Sequence, residues 1–123
     1  MSSAGEIGTA HPTSARKIIK RLDLKPHPEG GFFTETYRCR DTVPAEALPR
    51  RYSGNRNLGT AIYFLLTSGD VSCFHRLKTD EVWHFYCGSP MVLHLLGKDG
   101  GYETRCLGPN ISRDECPQIT VYH

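Results

Sequence analysis

The chain has 123 residues, 38% hydrophobic and 23% charged, and 15 Lys and Arg against 13 Asp and Glu give a formal net charge of +2. That length fits one domain around one core and is too short for two, with the composition of a globular rather than a disordered protein. The small charge asks for neither nucleic acid nor an anionic membrane, no apolar run approaches the roughly 20 residues of a membrane helix, and the start, MSSAGEIGTAHPTS, lacks the charged-then-apolar order of a signal peptide.

Residues 1–13, rich in Ser, Gly, Thr and Ala, read as a flexible tail ahead of a single domain over 14–123. Ser14 can cap a short helix, ARKIIKRLDL, with Ile18, Ile19 and Leu22 on one stripe and basic residues on the other. Pro26 and Pro28 then end it. The segment HPEGG, His27 to Gly31, reads as a tight turn into the first strand, since a bare Gly-Gly is too weak a signal for a phosphate-cradling loop.

From Gly31 the period becomes two. FFTETYRC alternates bulky and polar residues as a half-buried strand does. Strict alternation puts Glu35 and Arg38 on opposite faces. Glu35 is the one expected to face inward, towards a ligand, because Phe33 and Tyr37 share its side; the alternative is an ion pair at the sheet edge. The long loop RDTVPAEALPRRYSGNRN carries no clear pattern, and loops of this kind are uncommon and often functional. It could fold over a barrel mouth, with Arg50, Arg51 and Arg56 as solvated loop charges.

Strand-like runs then follow in series: TAIYFLL, VSCFHRL, EVWHFYC, MVLHLLG, YETRCL and PQITVYH. The stretches between them, SGD, KTD, GSP, KDGG and GPNISRDE, are credible turns. Short strands in this rhythm predict an all-β antiparallel sandwich or barrel. Internal repeats and a βαβ rhythm are both missing.

The five cysteines, Cys39, Cys73, Cys87, Cys106 and Cys116, are odd in number and form no CxxC pair. That argues against zinc ribbons and redox motifs and fits the cytosol, where thiols stay reduced.

The richest stretch is GDVSCFHRLKTDEVWHFYCG, residues 69–88. If VSCFHRL and EVWHFYC pair as a hairpin across KTD, alternation places Cys73, His75 and Leu77 on one face. Glu81, Trp83 and Phe85 form the matching set on the other strand. His75 and Glu81 then become cross-strand neighbours, a combination suited to metal binding, proton transfer or a buried hydrogen-bonded pair. His84 falls on the opposite face with Arg76 and Tyr86. His94, in the apolar run MVLHLLG, reads as a satisfied structural histidine, and His123, the last residue, is set aside. Trp83, Phe85 and Tyr63 are either an aromatic wall for a flat ligand or part of the core.

The spacing of Gly69, His75, Leu77, Glu81 and Gly88 resembles the first motif of the cupin superfamily, small jelly-roll barrels in which two histidines and a glutamate bind a divalent metal. Leu77 stands where the second histidine would be, so His75 and Glu81 are left as an incomplete metal pair. The segments LKPHPEGGFFTETYRC, TAIYFLL, FHRLKTDEVWHFYCG and CPQITV are similar to one cupin-like family of largely unassigned function. Its barrels resemble those of deoxysugar epimerases, and its members tend to form homodimers. In that family the strand after PQ continues into further closing strands, so the resemblance implies a carboxy-terminally shortened form. An unclosed barrel leaves a strand edge and an apolar face uncovered, which predicts low stability or dependence on a partner.

The resemblance implies a cytoplasmic cupin that binds a small molecule, sugar- or nucleotide-like, with His75 and Glu81 at the pocket floor. A second reading is a metal-independent isomerase or epimerase with His75 as general base. A third is an enzyme that uses a divalent metal ion.

Overall fold

Ser14 opens the described part of the chain, residues 14–123 of a computed structural model. The tail expected over residues 1–13 lies outside it. The Ser14 hydroxyl accepts from the Lys17 N–H at 3.4 Å and caps α1 (Ala15–Leu22), as the sequence predicts. Asp23 ends the helix in the left-handed region at φ 52°, and the Leu24 N–H returns to the Ile19 carbonyl at 2.9 Å. Leu24 is buried. The chain divides into two compact parts with their boundary between His75 and Arg76.

In the first part, β1 (Lys25–Pro26) and β2 (Phe32–Arg38) pair antiparallel. The loop after β2 holds two short strands, β3 (Thr42–Val43) and β4 (Arg56–Asn57), which pair with each other, and a single 3-10 turn at Ala45–Ala47. The run expected to be patternless is thus tied together by its own backbone. β5 (Thr60–Leu65) then joins the other edge of β2, giving the order β1-β2-β5.

The β2–β5 register shifts between Glu35 and Tyr37, so Thr36 is an extra residue, and its hydroxyl donates to the Ala61 carbonyl at 3.2 Å. A bulge advances the alternation by one residue. Glu35 and Arg38, expected on opposite faces, therefore meet. After β5, Asp70 closes a turn by accepting from the Thr67 hydroxyl at 2.7 Å and its N–H at 2.9 Å; these bonds hold the carboxyl below its ordinary pKa.

In the second part, β6 (Glu81–His84) will pair antiparallel with the last strand of the chain. Before that strand, β7 (Met91–Leu96) and β8 (Tyr102–Leu107) form a hairpin, and β9 (Glu115–Cys116) lies parallel to β8. The hairpin turn is shaped by Asp99, whose carboxylate accepts from the Gly101 N–H at 3.0 Å, and by Gly100 at φ +84°. β10 (Gln118–Val121) completes the pair with β6, setting Ile119 opposite Trp83. Leu107 and Ile119 are buried in this part, Ile119 with 1% of its surface exposed.

Among the described residues the fold is all-β with one short helix. Six of the seven strand-like runs of the sequence are strands; the exception is VSCFHRL, where residues 71–77 are irregular. Several apolar side chains stay exposed in both parts, among them Tyr37 and Ile62 in the first and Val92, Leu96 and Tyr102 in the second. No helix among the described residues is long and apolar enough to cross a membrane.

Candidate functional site

The site begins at the HPEGG turn between β1 and β2. The His27 N–H donates to the Gly31 carbonyl at 2.8 Å, and the Gly30 N–H to the His27 carbonyl at 3.1 Å. Gly30 and Gly31 have φ of +113° and +74°, a region that favours glycine. Space demands glycine as well. A Cβ on Gly30 would collide with the Val71 carbonyl, and one on Gly31 would stand 2.6 Å from the Leu65 carbonyl oxygen.

With no side chains in the way, the segment after β5 comes up against the turn. The Cys73 N–H donates to the Glu29 carbonyl at 2.8 Å. This attachment accounts for the missing strand over VSCFHRL. The expected hairpin across KTD does not form, and β6 pairs with β10 instead.

The attachment brings His75 to Glu29. His75 Nδ1 is 3.1 Å from Glu29 Oε2 and 3.0 Å from the Cys73 carbonyl oxygen. A carbonyl and a carboxylate only accept, so Nδ1 carries the proton and donates. When the ring is neutral, its lone pair is therefore on Nε2. The side chains of His75 and Glu29 are 31% and 35% exposed, open enough to meet a ligand.

His27 stands at the same carboxylate. Its Nδ1 is 3.9 Å from Glu29 Oε2 and accepts the Glu29 N–H at 3.1 Å. The ring is set edge-on to Phe33 and Phe64, with centroid distances of 4.8 Å and 5.2 Å. Neither Glu29 nor His27 stands out in the sequence as a functional residue. The available signal was the Gly-Gly beside them, which marks a turn that another segment can approach closely.

The other expected site residues are placed as follows. Glu81 and Trp83 share a face of β6, and the Trp83 indole N–H donates to Glu81 Oε2 at 3.2 Å. Phe85 continues that alternation just past the strand, its N–H on the Pro117 carbonyl at 2.8 Å. His84 and Tyr86 take the opposite, exposed side with their rings stacked 6.4 Å apart, as alternation predicts. Glu81, Trp83 and Phe85 belong to the second part of the chain, whereas His75, Tyr63 and Glu35 belong to the first. Tyr63 lies on β5 opposite Thr34, partly exposed.

Glu35 is held by Arg38 in a two-pronged ion pair, with Nε to Oε1 at 2.7 Å and Nη2 to Oε2 at 2.8 Å. The guanidinium keeps the Glu35 carboxyl below its ordinary pKa, and the carboxylate raises that of Arg38 in turn. This is the sheet ion pair weighed against an inward carboxylate. His94 Nδ1 is hydrogen-bonded to the Tyr102 hydroxyl at 2.7 Å, so this histidine is satisfied, on the exposed face of β7. His123, set aside on position alone, is bound to Asp80 through its backbone N–H at 3.0 Å and Nδ1 at 2.8 Å.

Among the described residues no three His, Cys, Asp or Glu side chains are grouped to hold a cation. Leu77, where the cupin motif has its second histidine, offers no donor atom.

Residues 16–123 match the family Cupin_5, described as Cupin superfamily (DUF985). An uncharacterized protein of Saccharomyces cerevisiae is 38% identical over 116 residues, covering 89% of this chain and 57% of that protein. A hypothetical protein from Leishmania major superposes with a TM-score of 0.79 at 36% identity, over 89% of this chain and 65% of that one. A protein from Shewanella oneidensis superposes equally well, with a TM-score of 0.79 at 35% identity over 90% of this chain and 65% of that one. The chain thus spans less than two thirds of the length of each of these relatives.

Proposed function

The chain belongs to the Cupin_5 family of the cupin superfamily, and on that premise we propose that it binds a small polar organic molecule at the His75–Glu29 pair. The observation that carries this reading is the 3.1 Å contact between His75 Nδ1 and Glu29 Oε2. It fixes the ring's orientation and protonation pattern before any ligand arrives, which lowers the ordering cost of binding. The ligand class follows from the acceptors on offer: the Nε2 lone pair of an imidazole and a carboxylate, both partly open to solvent, suit hydroxyl groups such as those of sugars.

The test is a titration of the full chain, labelled with 15N-histidine, against a panel of monosaccharides and sugar nucleotides. The His75 imidazole signals should move with saturation, and His75→Ala should lose the binding. Ligand uptake that is unchanged in His75→Ala would refute the assignment.

A second reading is favoured by one specific feature. A histidine whose Nδ1–H is held by a carboxylate presents its Nε2 lone pair outward, the arrangement of a general base. His75 would then take a proton from carbon beside a carbonyl, as an isomerase or epimerase requires. Turnover of a keto-sugar that disappears in His75→Gln, with binding retained, would select this reading over binding alone.

A further inference from the structure

We infer that His27 is a second ligand-contacting group of this site, a hydrogen-bond donor matched to the acceptor on His75, and that the pair selects α-hydroxy carbonyl compounds. The inference rests on the reading of His75 and Glu29 as a ligand site. Its basis is the opposite protonation of the two rings. His27 Nδ1 accepts the Glu29 N–H at 3.1 Å, so that nitrogen holds no proton and the neutral ring carries its hydrogen on Nε2. His75 is the reverse, because both groups on its Nδ1 are acceptors.

The two Nδ1 atoms lie 3.9 Å and 3.1 Å from one carboxylate oxygen, so both rings adjoin the same group. Both are partly open to solvent, with side-chain exposures of 20% and 31%. The site therefore offers one N–H donor and one nitrogen lone pair. A ligand with a carbonyl oxygen next to a hydroxyl satisfies both: the carbonyl accepts from His27 Nε2–H, and the hydroxyl donates to His75 Nε2. A neutral imidazole is a competent donor to a carbonyl. The edge-on packing against Phe33 and Phe64 holds the His27 ring in place for this role.

The probe is acetohydroxamate, which has a carbonyl acceptor and an O–H donor in the same relation, added to the full chain in the presence of EDTA. Long-range 1H–15N spectra of the histidine rings should show His75 protonated on Nδ1 and His27 on Nε2 before the probe is added. This needs no variant and no activity. On titration, the Nε2 signals of both rings should shift together, and His27→Phe should weaken the probe by about tenfold, the loss of one neutral hydrogen bond. Glu29→Gln should disturb His75 while His27 keeps its tautomer, because the partner of His27 is a backbone N–H. His27 protonated on Nδ1 would overturn the inference. So would a shift confined to His75, which leaves the binding reading standing. A probe that moves neither ring would remove both.

Discussion

Glu29 holds His75 from a distant point of the sequence: its Oε2 stands 3.1 Å from His75 Nδ1, and its carbonyl takes the Cys73 N–H at 2.8 Å. The side chain and the backbone of one turn residue thus fix both the position and the protonation of the imidazole. Glu29→Ala removes only the first of these. The turn survives because its backbone bonds remain, and the partly exposed His75–Glu29 hydrogen bond contributes only about 1 kcal/mol to stability. The expected result is an unchanged circular dichroism spectrum with about tenfold weaker ligand binding; equal affinity in the variant would show that the carboxylate plays no part in the site.

Gly30 carries the opposite expectation. A side chain there must adopt a φ near +113° and push against the Val71 carbonyl. The backbone strain alone costs about 1–3 kcal/mol, and the collision adds to it. Gly30→Ala should therefore lower the urea midpoint strongly and free the segment 71–75, seen as loss of the His75 tautomer preference. Gly54 has open space around its α-carbon, so Gly54→Ala should stay within about 0.5 kcal/mol of the parent.

These two residues also show where sequence reading stops. Alternation placed Glu81 and Trp83 on one face and His84 and Tyr86 on the other, because period two depends only on the strand itself. The helix cap at Ser14 is equally local. The partner of His75 could not be found in this way. The nearby carboxylate in the sequence was Glu81, whereas the one in contact comes from a turn, through packing that only glycine allows. The Glu35–Arg38 face assignment failed for a similar reason: one extra residue at Thr36 reverses the alternation, and no residue type announces a bulge. The strand reading of VSCFHRL failed because its backbone bonds to a turn and not to a neighbouring strand.

The bulge has its own consequence for acid stability. Arg38 depresses the Glu35 pKa in the folded chain, so Glu35 favours folding above its unfolded pKa, and that contribution is lost as pH falls through the depressed folded value. The carboxyl carbon of Glu35 should titrate below the ordinary glutamate range and return to it in Arg38→Ala. Glu35→Gln should soften the loss of stability on acidification. A normal Glu35 titration in the parent chain would contradict the two-pronged pair.

Exposed Val92, Leu96 and Tyr102 lie on the β7–β8 hairpin, with Leu96 and Tyr102 directly paired. Apolar surface of this kind favours association. The folded chain should bind a hydrophobic dye such as ANS and show a sedimentation coefficient that rises with concentration. Leu96→Lys should reduce both effects without lowering the melting temperature by more than a few degrees, since an exposed side chain contributes little packing. A chain that stays monomeric and dye-free at high concentration would count against association through this hairpin.

Trp83 is the single tryptophan of the chain, which makes its hydrogen bond to Glu81 directly readable. The indole is partly buried, opposite the buried Ile119 on β10, so its fluorescence reports this face of the β6–β10 pair. Glu81→Gln keeps an acceptor oxygen within reach of the indole N–H, whereas Glu81→Ala keeps none. The glutamine variant should therefore retain the downfield indole proton resonance and the parent emission maximum. The alanine variant should shift both and lose about 1 kcal/mol, the usual net value of one such bond. If alanine and glutamine behave alike, Glu81 does not hold the indole, and its place on this face must serve another purpose, such as contact with a ligand.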